Sequence, residues 1–243
     1  MTFPIDPLDV EIKSLPVESR IFLDYDGTLV ELSPDPETTY PDADLISLLD
    51  AVSARYETYI ATGRSLNEIR GFLGDRYNII ALHGAVIVKR GEDPRYLVDA
   101  ARYIKFCDSL FARREEFFSR YPGIKITNKQ GGIVFILWRL SAEDTGRLVS
   151  ELQRLASESG MDLYLGKRIA ELRIPGINKG TTIRMIRGGS PALIAGDDAT
   201  DEDSFRLNPD AVTIKVGDGD TSAKYRVRDV KQFREILGML SVS

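Results

Sequence analysis

Apolar residues run without interruption through Ile21-Phe22-Leu23, Ile79-Ile80-Ala81-Leu82 and Ala192-Leu193-Ile194-Ala195. Short runs that do not alternate predict strands buried on both faces, as in a parallel sheet. Between such runs the spacing becomes helical. Leu45, Ile46, Leu48, Leu49 and Val52 recur at helix periodicity behind Asp42, a good N-cap. Ser65 and Glu68 have the spacing of a capping box and open the next helix. The first part of the chain therefore reads as alternating strands (Arg20–Leu23, Thr58–Ala61, Ile79–Leu82) and helices, with a polar, Pro-rich loop at Glu31–Pro41. Val86–Val88 and Tyr96–Val98 are expected to form a hairpin.

The rhythm changes in the middle. One helix is expected over about Tyr103–Arg120, then extended segments at Ile124–Thr127 and Ile133–Leu140. Ser141 opens a second helix with Leu148, Leu152 and Leu155 on one face, and short strands follow at Asp162–Leu165 and Arg168–Ile174. An αββαββ order predicts a separate small α+β unit with helices on one face of an antiparallel sheet. The alternation then resumes with helix Lys179–Arg187, strands Ala192–Ala195 and Ala211–Val216, and a last helix from about Val230. The expected fold class is α/β, a Rossmann-like parallel-sheet core built from residues 1–100 and 175–243, interrupted by an inserted α+β cap at 101–174.

Bulk composition narrows the function. A net charge of −5 offers no global basic field for nucleic acid or an anionic membrane. No apolar run reaches membrane-spanning length, and the N-terminus lacks the pattern of a signal peptide, so a cytoplasmic location is expected. A single cysteine, Cys107, excludes disulfides within the chain, and a lone histidine, His83, excludes a multi-histidine metal site. Any metal would be held by oxygen and be a hard ion such as Mg2+.

The chemistry gathers at strand ends. Asp24-Tyr25-Asp26-Gly27-Thr28 follows the buried run Ile21–Leu23, Thr62-Gly63-Arg64 the strand Thr58–Ala61, and Gly196-Asp197-Asp198-Ala199-Thr200-Asp201 the run Ala192–Ala195, while Lys179 opens a helix. Ligands of open α/β sheets bind where strands end. Carboxylates ~4 Å apart repel by roughly 1–4 kcal/mol, so such a cluster calls for cations, here Mg2+ and Lys179. The pattern suits phosphoryl transfer, with Asp24 as nucleophile and Mg2+ held by Asp24, the Asp26 carbonyl and Asp197, supported by Asp198 and Asp201. The Thr62 hydroxyl and the backbone around Tyr25 and Gly27 would grip the phosphate, and Lys179 would balance its charge. Asp26 is placed as general acid and base, with a pKa raised by neighbouring acids. Taken singly, each residue has a plainer reading: Asp26 as a turn cap, Lys179 as a surface lysine, His83 as a structural side chain.

These motifs resemble the four signatures of the haloacid dehalogenase-like phosphatase superfamily, and the insertion resembles its α+β type C2 cap. Within the superfamily, Gly196-Asp197-Asp198-Ala199-Thr200-Asp201-Glu202-Asp203-Ser204-Phe205, Leu82-His83-Gly84 and Glu171-Leu172-Arg173-Ile174-Pro175 with Lys179-Gly180 are similar to elements of the trehalose-6-phosphate phosphatase family. The resemblance implies Asp24, Asp26, Thr62 and Lys179 as catalytic residues and Mg2+ on Asp24, Asp26 and Asp197. It implies substrate contacts from Tyr25, Gly63, Arg64 and His83, and sugar contacts from Asn128, Lys129, Lys167 and Glu171 in the cap. The cap departs from the family pattern at Thr127 and at Leu137-Trp138-Arg139. Mannosyl-3-phosphoglycerate or hexose phosphates are the alternative substrates, and a phospho-accepting receiver-type domain is the reading from another class. The expected partner is a small sugar phosphate, with no nucleic acid or membrane, and a monomer is expected.

Overall fold

The structure, a computed structural model, describes residues 7–33, 35–166 and 168–242. It divides into two compact units, Met1–Arg95 with Asn178–Ser243, and Tyr96–Ile177.

The first unit begins with helix α1 (Pro7–Lys13), then strand β1 (Arg20–Leu23), α2 (Ala43–Arg55), β2 (Glu57–Ala61), α3 (Leu66–Leu73), β3 (Asn78–Ala81) and β4 (Val86–Val88), and the short β5 (Arg95–Tyr96) spans its boundary. The second unit holds α4 (Ala101–Ala112), α5 (Arg114–Arg120), β6 (Lys125–Asn128), β7 (Ile133–Ile136), α6 (Ala142–Ser159), β8 (Asp162–Gly166) and β9 (Ile169–Arg173). The chain returns with α7 (Lys179–Arg187), β10 (Ala192–Gly196), α8 (Ala199–Leu207), β11 (Val212–Val216), β12 (Tyr225–Val227) and α9 (Val230–Val242).

The large sheet has the order β12-β11-β10-β1-β2-β3-β4-β5. Pairing is parallel from β12 across to β3, and β4 joins antiparallel. Ile21, Phe22 and Leu23 of β1 are fully buried, as a central strand covered on both faces requires. Burying each such side chain stabilises the fold by about 1.5–3 kcal/mol relative to leaving it exposed. Asp42 caps α2 through Leu45 N–H at 2.7 Å, and Ser65 with Glu68 forms the capping box of α3. These caps fix where each helix starts.

The second unit packs its helices on an antiparallel sheet of order β6-β7-β9-β8. Its first helix differs from expectation. The chain breaks at Arg113 (φ −92°, ψ 13°) into α4 and α5, although no glycine or proline marks the place. The turn delivers Phe117, buried, against Phe135 of β7 at 5.4 Å between ring centroids. Strand β7 is also shorter than the apolar run that suggested it. It ends at Ile136 because the pairing with β9 stops at Ile136 and Ile169, and Leu137 N–H bonds to Arg168 C=O. Among the described residues no helix is long and apolar enough to cross a membrane.

Candidate active site

The parallel register sets Leu23 beside Ala195 on one side and Ile60 on the other. The residues just beyond these strands, Asp24, Asp197 and Thr62, therefore leave the sheet along one edge. Asp24 N–H bonds to Ala195 C=O at 3.0 Å, which holds the first acid against the neighbouring strand. Gly27 then turns the chain at φ +83°. A side chain at this position would also meet the Asp197 carboxylate, since a Cβ would lie 2.2 Å from Asp197 Oδ2.

Lys179 is the first residue of α7, after the Asn178 cap, and is buried. Its Nζ donates to Asp24 Oδ1 at 2.6 Å and to Asp201 Oδ1 at 2.9 Å. Asp201, also buried, accepts at its other oxygen from the N–H groups of Asp197 at 3.1 Å and Asp198 at 3.2 Å. It is thus a strut between the ammonium and the β10 turn. Asp198 turns away to cap α8, accepting from Thr200 N–H at 2.7 Å and Thr200 Oγ1 at 2.6 Å. A cation not anticipated from the sequence, Lys215 of β11, is buried and donates to the Asp197 carbonyl. It stands inside a strand run, Val212–Val216, where its neighbours suggested only burial.

Oxygens of Asp24, Asp197 and Asp201 lie within 4.8 Å of one another. Burial is the main force on their protonation. It pushes Asp24 up to about 8, against the pull of Lys179 and with a further push from Asp197 and Asp198. It pushes Asp197 up to about 7, helped by Asp201 and Asp198. Burial also works against the Lys179 ammonium, but Asp201, Asp24 and Asp198 outweigh it and hold its pKa above the ordinary lysine range. Asp198, an exposed residue, is the exception among the acids: against partial desolvation of its carboxyl, Lys179 and the Thr200 hydrogen bonds hold it down to about 2. Buried Asp24 and Asp201 thus share the Lys179 ammonium, with half-buried Asp197 and the exposed Asp198 beside them. An all-oxygen donor set with excess negative charge fits a hard divalent cation, which would offset the repulsion that adds to burial in raising Asp24 and Asp197.

Asp26 lies differently from expectation. The groups facing its carboxylate are not the other acids but Arg64 and Thr39. Arg64 donates through Nε to Oδ2 at 2.7 Å and through Nη2 to Oδ1 at 2.6 Å, and the Thr39 hydroxyl reaches Oδ1 at 3.3 Å. Arg64 is buried, stacks on Phe72 at 4.6 Å from the ring centroid, and also bonds Pro36 C=O and Thr39 Oγ1, both at 2.8 Å. The Arg64 guanidinium thus fixes Asp26 and ties down the loop after β1. The Tyr25 side chain is fully buried, with its hydroxyl on Thr39 C=O at 2.7 Å.

Thr62 is buried and accepts Arg64 N–H at its hydroxyl oxygen at 3.1 Å. The His83 ring lies over Gly63, where a Cβ would come within 2.3 Å of His83 Cε1. His83 reaches this place from a left-handed backbone at φ 54°, and its N–H bonds Thr62 C=O at 3.1 Å.

In the second unit, Lys129 Nζ meets Glu171 Oε1 at 3.3 Å. Asn128 does not join them. It stands in register with Ile133 on the opposite sheet face, and its amide donates to Asp108 of α4 at 2.6 Å. Lys167 lies outside the described residues.

Comparison with known proteins places this geometry. Residues 22–231 match the family model described as trehalose-phosphatase. A trehalose-6-phosphate phosphatase-related protein of Thermoplasma acidophilum is 43% identical over 222 residues, covering 91% of this chain and 96% of that one. The crystal structure of a trehalose-6-phosphate phosphatase-related protein superposes with a TM-score of 0.87 at 43% identity, covering 92% of this chain and 97% of that chain. A haloacid dehalogenase-like hydrolase from B. subtilis shares the fold, with a TM-score of 0.62 at 15% identity over 93% of this chain and 100% of that one. Three further curated relatives are longer chains, of which this chain spans 31%, 30% and 30%. With its buried Asp24–Lys179 pair, its acids at the ends of parallel strands and a family match across residues 22–231, the chain belongs to the trehalose-phosphatase family, on the haloacid dehalogenase-like fold.

Proposed function

We propose that this protein is a Mg2+-dependent phosphatase that hydrolyses trehalose 6-phosphate to trehalose and inorganic phosphate. The observation that carries the reading is the 2.6 Å contact between buried Lys179 and Asp24, beside Asp197 at the end of the neighbouring strand. Lys179 holds one oxygen of Asp24 in place, which orients the carboxylate for attack on phosphorus. The P–O bond to the sugar breaks as the Asp24–phosphorus bond forms, giving an aspartyl phosphate. Asp26 protonates the leaving sugar oxygen and then takes the proton of the water that attacks the aspartyl phosphate. To do so it must reach the leaving oxygen from its seat on Arg64, so Arg64 sets where that journey starts. The Thr62 hydroxyl and the N–H groups of the Tyr25–Gly27 turn hold the phosphoryl oxygens. Asp24, Asp197 and the Asp26 carbonyl would bind Mg2+, which when bound offsets the negative charge of acids and phosphate together. The inserted unit carries specificity for the sugar through Lys129 and Glu171.

The curated relative of Thermoplasma acidophilum, by its name, supports the trehalose assignment. The test is initial phosphate release with Mg2+ from trehalose 6-phosphate, glucose 6-phosphate, mannosyl-3-phosphoglycerate and p-nitrophenyl phosphate. The expected result is the highest kcat/KM on trehalose 6-phosphate. A higher value on one of the other sugar phosphates would reassign the substrate, and a stable phosphoprotein without turnover would reject a phosphatase.

A further inference from the structure

The acid Glu171 is only 2% exposed, yet it is the centre of a charged cluster in the second unit. Lys129 approaches one of its oxygens. Arg173, two residues along β9 on the same face, grips the other, with Nε at 2.8 Å and Nη2 at 2.7 Å from Oε2. The Arg173 guanidinium in turn lies over the Tyr164 ring at 3.7 Å from its centroid. Strand register explains the meeting. Tyr164 of β8 pairs with Glu171, and Arg173 pairs with Asp162, so Arg173 and Tyr164 are diagonal neighbours on one sheet face.

We propose that Arg173 and Tyr164 form a positioning pair that holds Glu171 for recognition of a sugar hydroxyl; the inference rests on the trehalose 6-phosphate reading above. A hydroxyl both donates and accepts a hydrogen bond. Lys129 Nζ and Glu171 Oε1, 3.3 Å apart, offer it a donor and an acceptor side by side. An acceptor discriminates only when its oxygen stays in one place, because a mobile carboxylate follows any ligand. Arg173 removes that freedom by fixing Oε2 through a planar fork, and Tyr164 removes the freedom of the fork by stacking on its face. Neither residue need touch the sugar. Their effect passes through Glu171, so it falls on sugar recognition and not on phosphoryl chemistry.

The experiment compares trehalose 6-phosphate with p-nitrophenyl phosphate, which has no sugar, in the Mg2+-loaded protein. Arg173→Lys keeps the charge and loses the fork; Tyr164→Leu loses the aromatic face; Tyr164→Phe keeps it. The expected result for Arg173→Lys and Tyr164→Leu is a KM for trehalose 6-phosphate raised roughly tenfold with kcat within about twofold, while the ratio of kcat/KM values between the two substrates falls roughly tenfold. Tyr164→Phe should restore wild-type behaviour. Equal losses on both substrates, or no change on either, would overturn the pair as a specificity device and leave the phosphatase reading standing. A wild-type protein with no preference for trehalose 6-phosphate over p-nitrophenyl phosphate would overturn both.

Discussion

The two units handle buried charge in opposite ways. In the first, buried Asp24 and Asp201 hold the Lys179 ammonium beside half-buried Asp197, and burial lifts the pKa values of Asp24 and Asp197 to about 8 and about 7. In the second, the buried acid Glu171 lies, among the described residues, between the cations Lys129 and Arg173, each within 3.3 Å. The first site is short of positive charge and suits a divalent cation and a reaction on phosphate. The second is supplied with it and suits a ligand with neutral hydroxyls. Charge balance thus separates the proposed site of chemistry from the proposed site of sugar recognition, before any ligand is considered.

The comparison can be broken most decisively at the nucleophile. Asp24→Asn should lower phosphate release by about 10,000-fold or more on every ester, sugar or not, while the far-ultraviolet circular dichroism stays that of the wild type. Retained turnover in a pure sample would remove Asp24 from the chemistry. Next comes the cation. Lys179→Met leaves Asp24 and Asp201 without their buried partner, and loss of one partner of a buried pair costs about 3–5 kcal/mol. Urea unfolding of the metal-free proteins measures this, and a loss under about 1 kcal/mol would mean that the acids relax away from the site once the ammonium is gone.

A smaller effect sharpens the same contrast. Asp24 and Asp197 have folded pKa values above that of an unfolded aspartate, 3.8. The folded state therefore binds more protons, and their contribution to stability, complete below pH about 4, is lost as pH rises toward about 8. Metal-free protein should melt at a lower temperature at pH 8 than at pH 6. Saturating Mg2+ should raise Tm more at pH 8, since the ion competes with protons for these carboxylates. Equal Tm increments at the two pH values would show that the ion does not bind to these carboxylates. The Arg173 and Tyr164 variants are the counterpart in the second unit, where loss should fall on KM for the sugar ester alone.

Much of the catalytic unit could be read from residue order. The buried runs at Ile21–Leu23 and Ala192–Ala195 became adjacent parallel strands, and the caps at Asp42 and Ser65 opened helices as their chemistry requires. Acids and Lys179 met because strand ends of a parallel sheet share an edge. The sequence was silent on the break at Arg113, since what drives it is the packing of Phe117 against Phe135 from a distant strand. It was equally silent on β12, a three-residue strand that exists only because β11 offers it partners.

Within the site, motif spacing carried the identities of the acids but not their directions. Nothing local distinguishes Asp201, braced on Lys179, from Asp198, folded back onto Thr200, because both belong to one short acidic run. Nor could it tell that Arg64 would hold Asp26, or that Asn128 would turn to Asp108 and leave Lys129 with Glu171. By itself the sequence determined which elements form and which residues end them, because burial periodicity and capping act over a few neighbouring positions. Only the tertiary structure decided which charges face one another, because side-chain partners are chosen by register and packing between segments far apart along the chain.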